Sequence, residues 1–172
     1  MNNSQISLIC LSIIFLFTIN SAQAQKIELI PASSGTTFIS FSNAVFDILK
    51  KGDTSVEWRI EFRRDFSGWA VDPLAGMMIN TDGARFIYAG ISHELHLLDF
   101  LSVIPSFSPG LYFKNKSKEL HFLLEFRSQI ELSFHFDLHT RFGVSFNHVS
   151  NASLGKSNPG VESLAISYTF SI

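Results

Sequence analysis

Cysteine is all but missing from this chain: its one thiol, Cys10, lies inside an apolar leading stretch. Beyond that stretch nothing remains to build a disulfide framework or a thiolate metal site. Cys10 also stands too far from the expected cleavage point to serve as a lipoprotein anchor. Charge is scarce, at 16 % of residues, and the net charge is −2. The basic footprint of a nucleic-acid binder is therefore absent, and no nucleic acid is expected as a partner. No apolar run after the leading one is long enough for a membrane-spanning helix.

What the chain has in plenty is phenylalanine, 18 residues of it. The leading stretch runs apolar from Ile6 to Ile19 and passes through Asn20-Ser21 to Ala22-Gln23-Ala24. An apolar core followed by small-x-small reads as a secretory signal peptide cut after Ala24. No Lys or Arg precedes the core, so its positive end rests on the amino terminus. Residues 25–53 show no clear period and stay unassigned, with Asn43–Lys51 open between a short helix and part of an N-terminal extension. From Thr54 onward the period is two. Val56, Trp58, Ile60 and Phe62 alternate with Glu57, Arg59, Glu61 and Arg63. Successive strand residues face opposite sides, so one face is apolar and the other charged. Polar breaks divide the remainder into eight strand candidates: 54–64, 69–80, 84–97, 101–113, 118–128, 131–138, 140–150 and 161–172.

A soluble sandwich or lipocalin-like binder would turn the apolar faces inward; a membrane barrel would turn them to lipid. Segment lengths near the roughly 9–11 residues of a transmembrane strand favour the barrel. So do the even strand count and a final strand with apolar residues at alternate positions, ending Phe170-Ser171-Ile172. The expected fold is all-β: an eight-stranded antiparallel transmembrane β-barrel of the outer membrane over 54–172. Its lumen would hold Glu57, Arg59, Glu61, Arg63, Glu125, Arg127, Asp137 and Arg141. Eight strands leave room only for side chains, so the expectation is a plugged, ion-paired interior and no porin channel.

The stretch from Asn147 to Glu162 carries the chemistry. His148 and Ser150, two apart on a strand, share a face. Glu162 opens the next strand and can sit beside His148 in a hairpin. A serine needs a base, and the base needs an orienting group. By parity all three continue the apolar, lipid-facing series of Phe142, Val144, Phe146 and of Leu164, Ile166, Tyr168. Charge there is tolerable near an interface, where it costs ~0–1 kcal/mol. With both termini periplasmic, the loop from Asn151 to Gly160 is extracellular, and the site faces the outer leaflet. Structural roles compete for each residue. His93, His96, His121, His135 and His139 take the structural reading, Lys156 reads as a solvated loop lysine, and Asn158-Pro159-Gly160 is a good turn anywhere.

His148-Val149-Ser150-Asn151-Ala152, then Asn158-Pro159-Gly160 and Glu162, resembles the signature of the lipid A 3-O-deacylase family (PagL type). Weaker similarity reaches back through Leu124-Glu125-Phe126-Arg127-Ser128 and Gly110-Leu111-Tyr112. The resemblance implies Ser150 as nucleophile, His148 as general base and Glu162 as orienting acid, with Asn151 and Asn158 at oxyanion-hole positions. The family often has Gly where this chain has Ser153. It also implies release of the acyl chain ester-linked at position 3 of lipid A, with no metal and no cofactor. The expected partners are lipopolysaccharide as substrate and outer-membrane lipid, with a homodimer left open. The rival function is a non-catalytic barrel serving adhesion or envelope stability.

Overall fold

The computed structural model describes residues 35–50, 54–66 and 70–172. The expected signal peptide lies outside them. The strands are β1 (Thr37–Phe46), β2 (Ser55–Arg64), β3 (Asp72–Asn80), β4 (Arg85–Ser92), β5 (Leu95–Leu98), β6 (Leu101–Phe113), β7 (Leu124–His135), β8 (Thr140–Ser150) and β9 (Val161–Ser171). Neighbours pair antiparallel in the order β4-β3-β2-β1-β9-β8-β7-β6-β5, and β4 also pairs with β6. That pairing closes the sheet. β4 and β5 are two parts of one barrel strand, since both run along β6. The ladder breaks between them because the His93 N–H donates to the carbonyl of Pro105 (3.0 Å), and proline has no N–H to return. The barrel therefore has eight strands.

The faces are inverted relative to a soluble core. Along β2, Trp58 and Phe62 are 46 % and 44 % exposed, whereas Glu57 and Arg59 are 1 % and 6 % exposed. Apolar side chains outside and charges inside mean that lipid, not water, surrounds the wall.

Inside, most of the charges pair with one another. Arg59 pairs with Glu57 and donates to Gln129 Oε1 (2.9 Å). Glu61 Oε2 accepts from Arg127 Nη1 (2.9 Å) and Tyr88 OH (3.0 Å), and its Oε1 accepts from Arg63 Nη2 (3.2 Å). Ser163 Oγ donates to Glu57 Oε2 (2.9 Å). An apolar cluster including Phe46, Met78, Phe86, Tyr112, Leu120 and Val149 fills the lumen at the end that carries the Asn151–Gly160 loop. Beside it Lys118 donates to the buried Asp47 (2.6 Å).

Four expectations change. The barrel begins at Thr37: β1 lies in the stretch left unassigned, and Asn43–Phe46 is strand, not helix. Its alternation is hidden because Phe38 and Phe46 point inward. The candidates 118–128 and 131–138 are one strand, β7, because the gap at 129–130 is no turn: Gln129 faces the lumen and meets Arg59. The remainder of 118–123 is loop. Asp137 is exposed in the turn between β7 and β8, where its Oδ1 accepts the N–H groups of His139 and Thr140 (2.7 Å each). Those donors hold its carboxyl below the usual range.

Candidate active site

β8 and β9 pair so that His148 stands directly opposite Glu162. On the other flank, β7 sets Ser128 opposite His148 and Phe126 opposite Ser150. The parity of β8 is inward for Asn147 and Val149, which are buried, and outward for His148 and Ser150, which are half-buried. Glu162 follows the same outward set as Leu164 and Ile166 on β9. All three polar groups therefore leave the barrel on its outer wall, at the strand ends.

His148 Nδ1 and Glu162 Oε1 are 2.9 Å apart. A carboxylate only accepts, so the bond places the imidazole proton on Nδ1 and leaves the Nε2 lone pair free. The Glu162 side chain is 18 % exposed and that of His148 44 %. The base is thus reachable from the wall while its orienting acid is partly covered. Ser150 Oγ and His148 share the face but are not hydrogen-bonded to each other among the described residues. Such contacts often tighten only when substrate is bound.

The loop behind Ser150 is built by Asn151. Its side chain is fully buried. Nδ2 donates to the carbonyls of Leu120 (2.7 Å) and Ser157 (2.8 Å), and Oδ1 accepts the Ser153 N–H (2.9 Å). Its backbone N–H donates to Asn158 Oδ1 (3.1 Å). Both amide donors of Asn151 are therefore spent on the loop, whereas among the described residues Asn158 Nδ2 has no partner. Ala152 and Ser153 both adopt left-handed backbone, at φ 51° and 66°. That is the conformation glycine takes without steric penalty. Replacing Ser153 by Gly should relieve about 1 kcal/mol of strain, seen as a higher urea midpoint of barrel unfolding.

Gly160 was read as part of a turn and of the signature, with no contact to the base assigned, yet it touches the base. At φ 60° it is left-handed, and a Cβ there would lie 2.6 Å from His148 Cε1. Gly160→Ala should push the imidazole aside and cut activity by about 10²-fold, the scale of a 1 Å misplacement, while the barrel still folds. Lys50 Nζ also donates to the Pro159 carbonyl (3.0 Å), tying the loop to the β1–β2 turn. Period-two reading gave no signal for that contact.

Comparison with known proteins fits this geometry. The family model described as lipid A 3-O-deacylase (PagL) matches residues 101–171. Over that stretch the chain is similar to the PagL family. The crystal structure of the outer membrane enzyme PagL superposes with a TM-score of 0.62 at 19 % identity, covering 78 % of this chain and 99 % of that one. A de novo designed transmembrane β-barrel gives 0.61 at 11 % identity, over 81 % of this chain and 97 % of the other. Neisserial surface protein A gives 0.52 at 10 % identity, over 80 % and 96 %. At these identities the structural likeness is one of fold. No curated protein matches the chain. The matched stretch spans β6 to β9 and so includes all of His148, Ser150 and Glu162.

Proposed function

We propose that this protein is a lipid A 3-O-deacylase that hydrolyses the ester-linked acyl chain at position 3 with a Ser-His-Glu triad. The observation that carries the reading is the 2.9 Å His148–Glu162 bond on the outer wall, inside the stretch that matches the PagL family. A structural polar residue gains more by facing the lumen. An oriented imidazole two residues from a serine on a lipid-facing wall has a chemical use.

In this mechanism Ser150 Oγ attacks the ester carbonyl carbon, and its proton passes to His148 Nε2. Glu162 holds the resulting imidazolium in place. The tetrahedral intermediate needs donors aimed at its oxyanion. Asn158 Nδ2 is uncommitted and suits that role, whereas Asn151 contributes by shaping the loop. Collapse breaks the bond to the sugar oxygen, which takes the proton from His148. Water then attacks the acyl-serine with His148 as base again, releasing the fatty acid and restoring Ser150. The substrate reaches the site from the leaflet that the Asn151–Gly160 loop faces.

The test is mass spectrometry of lipid A from Gram-negative cells with and without the chain. The expected result is loss of one hydroxyacyl group only when the chain is expressed. Unchanged lipid A, with the barrel verified in the outer membrane, would refute the substrate.

A further inference from the structure

At the opposite end of the barrel from the triad, three adjacent strands aim a second polar group into the lumen mouth. Glu94, between β4 and β5, and His96 on β5 point inward. Ser102 on β6 and His135 at the end of β7 face them. One ligand atom each from Glu94, His96 and His135 falls within 4.8 Å of the other two. We propose that these three residues form a site for a divalent transition metal of the zinc class, distinct from the triad and independent of its reading.

The decisive atom is Glu94 Oε1. It is buried and has no hydrogen-bond partner among the described residues. It nevertheless faces two imidazole nitrogens, His135 Nε2 at 3.2 Å and His96 Nε2 at 3.9 Å. A carboxylate oxygen held between two such nitrogens is placed as the third donor of a metal site. Ligands of a tetrahedral zinc, at about 2.0–2.2 Å each, stand roughly 3.3–3.5 Å apart. His135 already meets that spacing with Glu94, and His96 needs to close by about half an ångström. Two imidazoles and a carboxylate are a donor set suited to zinc, with water completing the shell.

The surrounding groups behave as supports. Ser102 Oγ lies 3.1 Å from His96 Nδ1, the nitrogen turned away from Glu94, and so fixes that ring's orientation. It also lies 2.8 Å from His135 Nε2, a contact that the metal would replace. Arg141 Nη1 donates to Glu94 Oε2 (2.7 Å) and is itself seated over the Phe38 ring, 4.1 Å from its centroid. Arg141 thus pins the carboxylate by its other oxygen and leaves Oε1 aimed at the imidazoles. Its charge weakens affinity for any cation but does not occupy the ligand atom. Glu94 and His96 are partly exposed at the mouth, so an ion can enter from the side where β1 begins and β9 ends.

The experiment uses the full chain refolded in detergent, without a histidine tag. Zn²⁺ is titrated by calorimetry, and bound metal is counted after desalting. One zinc per barrel is expected, with binding weakened at least tenfold in His96→Gln and in His135→Gln. No binding at 100 μM Zn²⁺, or full binding in both variants, would overturn the site. If a variant fails to fold, the native chain still decides. Zn²⁺ should protect His96 and His135 from diethylpyrocarbonate, mapped by mass spectrometry, while His139 and His148 stay reactive. Protection of other histidines instead would place the metal elsewhere.

Discussion

Cells producing the Ser150→Ala chain should keep lipid A fully acylated, although the barrel reaches the outer membrane in normal amounts. Ser150 is half-buried on the outer wall at the end of β8, and among the described residues its hydroxyl has no recorded hydrogen bond to the rest of the fold. Its loss therefore leaves packing intact. Removing a serine nucleophile costs on the order of 10⁴- to 10⁶-fold in rate when the rest of the site persists. Over a growth period that separates complete from undetectable conversion. The readout is the mass spectrum of extracted lipid A, with heat-shifted gel mobility as the folding control. Retained deacylation in a folded Ser150→Ala barrel would remove the triad assignment while leaving the family match untouched.

Glu61→Gln should be among the most destabilising single substitutions in the barrel. Glu61 accepts from Arg127, Arg63 and Tyr88 at once, all inside the lumen. Taking one partner from a buried ion pair leaves an uncompensated charge, a loss of about 3–5 kcal/mol. Glu125→Gln is the control. Glu125 is just as buried, but among the described residues neither carboxyl oxygen has a partner, so neutralising it removes no recorded ion pair. Urea unfolding in lipid vesicles should show a large fall in midpoint for Glu61→Gln and little or no fall for Glu125→Gln. Equal falls would mean that burial, and not pairing, sets the stability of the lumen.

The sequence made the barrel legible wherever the lumen is charged. On β2, Glu and Arg alternate with aromatic and aliphatic residues, and parity alone assigns the faces. It failed where the lumen is apolar. On β1, Phe38 and Phe46 point inward and Asn43 outward, so inner and outer faces carry the same residue types. The gap at 129–130 split one strand in two, but in a wall of this kind a lumen glutamine is an ordinary strand residue. The count of eight strands came out right only because the split of β7 offset the omission of β1. At the site, the faces of His148, Ser150 and Glu162 followed from parity. The inward turn of the Asn151 amide and the contact of Gly160 with the imidazole depend on loop conformation, which period-two reading does not carry.

Placing Ser150 on the wall, outside the barrel, changes what concentration means for this protein. A molecule dissolved in the surrounding water cannot be counted against the site; only what has partitioned into the leaflet can. Under the proposed function, encounter is a search in two dimensions with no pore to thread, and the released chain departs sideways into the layer it came from. Inhibitors would then rank by how they distribute between membrane and water before they rank by fit. Rates measured in detergent would scale with the mole fraction of substrate in the micelle, not with its amount per litre.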